Sequence, residues 1–185
     1  MILSVHQPNF FPWLPYFRKI QASNVFVSLG NVQFVRRQYQ NRFYFDEKWH
    51  TMSVNSGSQT DRIRDKIYLN PEKDWEKIKR SIRTIDLSRF DSSIGENLYE
   101  TNHAVIKIIL NNLGITTPVF HESQAADTDP SMRIIQLCLK YGADTYLSGP
   151  SGIKYMNLEL FKRNGIKVDY MAPDKDDAIP ILNLL

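Results

Sequence analysis

Apolar residues fall into short dense runs near the start of the chain and into helical stripes further along. Residues 2–5 (Ile-Leu-Ser-Val) predict a strand, which stops at His6-Gln7-Pro8-Asn9. Pro8, Pro12 and Pro15 punctuate the next stretch. Proline is tolerated in a helix's first turn, so a helix is predicted from Pro12 or Pro15 to about Ser23. Residues 25–29 (Val-Phe-Val-Ser-Leu) form a β-branched and aromatic run that reads as a buried strand. Residues 41–45 and 49–54 flank Asp46-Glu47-Lys48 and predict a β-hairpin near 41–54. A loop over 55–60 and a short strand at 67–69 follow. Asn70-Pro71 then opens a helix whose apolar face is Trp75, Ile78, Ile82 and Ile85. A longer helix is predicted from about Ile94 to Leu113, closed by Gly114.

The last third alternates regularly. Strands are predicted at 117–121, 145–148 and 166–170, with helices at 131–141 and 157–164 closed by Gly142 and Gly165. Helix–strand alternation predicts an α/β fold in three layers: a mostly parallel central sheet, helices on both faces, and the hairpin projecting from it. The 185 residues suit one domain with the hairpin as an insert.

Composition narrows the function classes. Lys and Arg number 23 against 20 Asp and Glu, a net charge of +3, too small a surplus to point to nucleic acid. The one cysteine, Cys138, excludes an internal disulfide and a cysteine metal cluster, and it fits a reducing, cytoplasmic setting. No apolar run approaches the ~20 residues of a membrane span.

Three clusters carry candidate chemistry. His6, Gln7, Asn9, Trp13 and Tyr16 crowd the end of the first strand, where open α/β sheets bind ligands. His6 can bind a phosphate or act as acid or base. The competing reading bonds His6 and Asn9 to their own loop and buries Trp13 and Tyr16. The second cluster holds Gln33, Arg36, Arg37, Asn41 and Arg42 in a stretch without Asp, Glu or Lys. Arginine forks suit carboxylates and phosphates, and amides suit sugar hydroxyls or bases. The third is Ser148-Gly149-Pro150-Ser151-Gly152, followed by Lys154 and Tyr155. Small residues between a strand and a helix let backbone amides approach an anion. Walker, dinucleotide, serine-hydrolase and His-Glu-x-x-His patterns are all missing, and His6, His50, His103 and His121 are scattered. No metal site is expected, and Cys138 is expected to be buried and inert.

Several stretches together resemble the WbqC-like family. They are Val5-His6-Gln7-Pro8-Asn9-Phe10-Phe11-Pro12-Trp13, Tyr16-Phe17-Arg18-Lys19-Ile20, Val32-Gln33-Phe34, Gln40-Asn41-Arg42, and the run from Tyr146 through Ser148-Gly149-Pro150-Ser151-Gly152 to Tyr155. The resemblance implies a bacterial protein of surface-polysaccharide and O-antigen assembly. It implies an enzyme acting on a nucleotide, nucleotide sugar or acyl substrate, with ATP or a nucleotide sugar as the small anionic partner. A non-catalytic ligand-binding or scaffold protein of that pathway is the alternative. The layout also resembles the start of nucleotidylyl transferases such as pantothenate synthetase, with a histidine loop, a helix, a second strand and then Gln33-Phe34. On that likeness His6 and Asn9 are the catalytic candidates. Gln7, Trp13, Tyr16, Gln33, Arg36, Arg37, Asn41, Arg42, Ser148, Gly149, Ser151, Gly152 and Tyr155 are the substrate-binding ones. Gly30-Asn31 stands where relatives carry acidic residues, and the chain ends soon after Pro180, where relatives continue.

Overall fold

The computed structural model describes residues 1–58, 60–122, 129–154 and 156–185. Five strands form one parallel sheet: β1 (Ile2–His6), β2 (Val25–Ser28), and, with the numbers β3 and β4 kept for the hairpin, β5 (Val119–His121), β6 (Thr145–Ser148) and β7 (Lys167–Tyr170). Their order across the sheet is β5-β2-β1-β6-β7, and every neighbouring pair runs parallel. The chain therefore builds outward from β1 on one side, then crosses back and builds outward on the other. The reversal lies between β1 and β6, where connections leave in opposite directions and open a crevice beyond the strands' carboxyl ends.

The sheet's alternating side chains make two cores. On one face Phe26 of β2 meets Phe17 and Ile20 of α1 (Leu14–Gln21), along with Val105, Ile106 and Ile109 of α3 (Leu98–Asn112). On the other face Leu3, Val5, Val25 and Val27 meet Ile134, Ile135 and Cys138 of α4 (Pro130–Tyr141) and Phe161 of α5 (Leu158–Arg163). Cys138 is fully buried, and burial pushes its thiol up to about 12, so it stays protonated. Pro130 and the Asp129 side chain, which accepts from Met132 N, start α4, and Gly142 in the left-handed region ends it. Ile181 and Leu182 return to the first core.

The aromatic-rich segment between β2 and α3 enlarges the first core. It includes α2 (Pro71–Ser81), whose buried Trp75 stacks on Phe11 with ring centroids 5.8 Å apart. The expected helix over 94–113 starts at Leu98, because the Asn97 side chain accepts from Glu100 N and caps it there. Residues 67–69 form isolated bridges from Ile67 to Asn97 and from Tyr68 to Val54.

The hairpin pairs β3 (Arg42–Phe45) with β4 (Lys48–Thr51) in a separate two-stranded sheet. Phe43 and Phe45 dock it on the first core. Its turn is two residues long, with Asp46 at φ 49 and Glu47 at φ 57. Both lie in the left-handed region that Asn-Gly pairs adopt readily.

Asn102, on α3 and fully buried, holds the segments together. Its Nδ2 donates to Pro8 O at 3.0 Å and Gln40 O at 2.7 Å, and its Oδ1 accepts from the Tyr68 hydroxyl at 3.0 Å. Asn102→Ala strands three buried polar groups at about 1–3 kcal/mol each, so urea unfolding should show a loss of about 3 kcal/mol or more. Replacing Asp46-Glu47 by Asn-Gly should act in the opposite direction and raise stability by about 1 kcal/mol, read from the same urea midpoint.

Candidate functional site

A cleft of about 580 Å³ opens at the reversal between β1 and β6. One wall is the end of β1 and the start of α1, with Val5, His6, Gln7, Trp13, Tyr16 and Lys19. The facing wall is Gly149, Pro150 and Ser151 after β6, with Arg133 and Ile134 of α4. Met171 to Pro173 and Asp177 close the far side.

The loop between β1 and α1 divides its aromatic residues between core and cleft. Phe11 takes a left-handed conformation, φ 47, uncommon for a bulky residue. That bend puts Phe10 and Phe11 in the first core and leaves Trp13 on the cleft wall. The His6 ring lies edge-on to Trp13 at 5.9 Å and to Tyr16 at 5.1 Å. Its Nδ1 is 2.9 Å from Gln7 O, and a carbonyl oxygen only accepts. Nδ1 therefore carries the proton and Nε2 presents a lone pair. Burial, reinforced by the charge of Lys19, lowers its pKa to about 3, so His6 is neutral throughout the physiological range.

Lys19 had no place among the residues singled out from the sequence, since position 19 of an amphipathic helix reads as a solvated lysine. It is 6% exposed. Its Nζ donates to Val5 O at 2.9 Å, and burial lowers its pKa to about 8. Arg133, on the facing wall, is held by Glu122 through Nε at 2.7 Å and Nη2 at 2.5 Å. Asp177 is held by Arg18 at 2.6 Å.

The predicted residues divide among several places. His6, Gln7, Trp13, Tyr16, Gly149 and Ser151 line the cleft. Gln7 also accepts from Gln40 Nε2 at 3.0 Å, tying the cleft wall to the segment before the hairpin. Ser148 and Gly152 are buried behind the wall. Ser148 Oγ donates to Gly149 O, and a Cβ on Gly152 would lie 2.0 Å from that Oγ. Asn9 is buried with its Oδ1 unpartnered among the described residues. Arg36, Arg37, Asn41 and Arg42 line a different groove, beside the hairpin. There Arg36 donates to Ser56 O at 3.0 Å, Arg42 donates to Arg37 O, and the Arg42 guanidinium lies 3.9 Å from the Trp49 ring centroid. Gln33 lines a third hollow with Ser56 and Lys66. Tyr155 lies outside the described residues.

Gly30 has a structural reason to lack a side chain. A Cβ there would meet the Tyr99 ring at 2.5 Å. The Tyr99 hydroxyl lies 2.9 Å from His121 Nδ1, and the His121 ring packs on His103 at 4.2 Å. His103 Nε2 is buried and unpartnered among the described residues, and burial with its neighbour His121 lowers its pKa to about 3. Among the described residues no group of three or more His, Cys, Asp or Glu is placed to hold a metal ion, and no helix is long and apolar enough to cross a membrane.

His6 and His103 fix the sign of the acid response. Both have folded pKa values near 3, against 6.5 unfolded, so below pH 6.5 the unfolded chain binds more protons. Stability should fall as pH drops from 6.5 towards 3, by up to ~1.4 kcal/mol per pH unit for each histidine. Thermal melts between pH 7.5 and 5 should show this, and His6→Gln or His103→Gln should each flatten the slope.

Comparison with known proteins finds similarity over nearly the whole chain. "Uncharacterized protein Rv1507c" of Mycobacterium tuberculosis (strain ATCC 25618 / H37Rv) is 24% identical over 215 residues, spanning 99% of this chain and 92% of that protein. No solved structure matches the chain. The sequence model described as the WbqC-like protein family matches residues 7–178, from the cleft loop to the turn that carries Asp177. The chain belongs to the WbqC-like protein family.

Proposed function

We propose that this protein is an enzyme of bacterial surface-polysaccharide assembly that binds a nucleotide, nucleotide sugar or activated acyl compound in the β1/β6 cleft. The reaction class is acyl or aminoacyl transfer to an amino sugar. The observation that carries the reading is the cleft's position at the sheet's reversal, with the His6 Nε2 lone pair on one wall and the Gly149–Ser151 turn on the other. Parallel sheets of this order bind small ligands, nucleotides among them, at this place.

In such a transfer His6 Nε2 accepts the proton that the attacking amine loses, and later returns it to the leaving group. Trp13 supplies a flat apolar surface for a ring of the substrate. Family context supports the polysaccharide setting. The non-catalytic alternative draws on a different observation: His6 is a weak base, because burial holds its pKa near 3.

A thermal-shift screen of ATP, nucleotide sugars and acyl-adenylate analogues tests the reading. A specific ligand at 100 times its Kd adds about 2.7 kcal/mol of stability. Binding that His6→Gln preserves while transfer to amino sugars falls at least 100-fold is the expected result. Transfer activity that survives His6→Gln unchanged defeats the catalytic assignment. Binding without turnover of any acyl donor favours the scaffold alternative.

A further inference from the structure

Lys19 is a cation in an environment that suits none. Its side chain is almost wholly buried on α1, yet Lys19 lines the same cleft as His6. An ammonium has three donors, and among the described residues one is used, by Val5 O at 2.9 Å. No carboxylate among the described residues lies within ion-pair distance of it. The other charged or titratable groups on the cleft wall come from every element packed around it: His6 of β1, Tyr16 of α1, Arg133 of α4, Tyr146 of β6 and Asp177 near the C-terminus. The two charged ones already have partners, Arg133 in Glu122 and Asp177 in Arg18. His6 is neutral. Burying a charge without its counter-charge is costly, and proteins retain such a group where something else supplies the opposite charge.

The geometry points to an oxyanion as that missing charge: the cleft takes a ligand whose carboxylate or phosphate sits on the Lys19 ammonium, beside His6. This deepens the functional reading above and rests on its cleft, but not on its chemistry. It also moves the anion-binding role away from Arg36, Arg37 and Arg42, which lie in the other groove. Occupancy has a consequence for the neighbouring ring. The Lys19 charge is one of the two causes that depress the His6 pKa, burial being the larger. An anion on Lys19 offsets that charge and removes the smaller of the two causes, while burial continues to hold the His6 pKa down.

The test uses two anions whose charge is constant from pH 7 to 9, sulfate for the phosphate class and acetate for the carboxylate class. Thermal stability is followed against anion concentration, at fixed ionic strength, for the wild type, Lys19→Met, Lys19→Arg and Arg37→Ala. The wild type should be stabilised at pH 7 by at least one of the two, and the effective anion names the class. Between pH 8 and 9 its affinity should fall severalfold as Lys19 loses its proton. Arg37→Ala should respond as the wild type does. Lys19→Met, with no buried cation to solvate, should melt at or above the wild-type temperature without anion and lose the anion response. Lys19→Arg, always charged, should keep the response and lose its dependence on pH. An anion response equal in wild type and Lys19→Met overturns the proposal, as does the lack of any response in the wild type. A Lys19→Met protein that melts well below wild type assigns Lys19 to the fold instead and also overturns it. Nucleotide-sugar binding indifferent to Lys19→Met would sink this inference while leaving the enzyme reading intact. Anion binding at Lys19 without transfer activity would do the reverse.

Discussion

The Asn102 amide is the interaction on which the cleft's geometry depends. Its three hydrogen bonds join α3, the loop after β1 at Pro8, the segment before the hairpin at Gln40, and Tyr68. Gln40 in turn holds Gln7, one residue beyond His6, and Phe10 N donates to Tyr39 O. A loop rich in proline, with few backbone donors of its own, is thereby fixed by side chains from distant parts of the chain. The position of His6 is a tertiary property, held through a buried polar network in which each member satisfies another.

The two cores divide the labour around that network. The face that carries α4 and α5 is built from aliphatic residues of the central strands. The opposite face, with α1 and α3, continues into an aromatic cluster of Phe10, Phe11, Phe43, Trp75 and Phe90. This cluster anchors the hairpin and the cleft loop to the same body, so the cleft wall is rigid on its α1 side. Rigidity there allows a buried ammonium to be held beside a neutral imidazole at a fixed site.

Much of the fold was legible in local pattern. The runs at 2–5, 25–29, 145–148 and 166–170 are short, rich in apolar residues and separated by helical stripes, so their strand character and parallel pairing follow from short-range rules. Placing His6 and the Gly149–Ser151 turn across one cleft needs only the additional rule that ligands gather at strand ends. Other features depend on the third dimension. Arg36, Arg37 and Arg42 follow β2 in sequence, but their segment turns away to the hairpin, and nothing in their composition records that direction. Lys19 and Asn102 sit in helices whose periodicity hides them. The pattern marks which face is apolar, and a polar residue turned inward looks like any surface residue until its partners are known.

Position 30 shows how such partners constrain substitution. The Tyr99 ring fills the space a side chain at Gly30 would need, and the Tyr99 hydroxyl is bonded to His121. A side chain at 30 can be accommodated by moving Tyr99, which releases His121 and disturbs its contact with His103. Residues 30, 99, 103 and 121 form one chain of contacts, so the cost of a side chain at 30 is set by three other side chains.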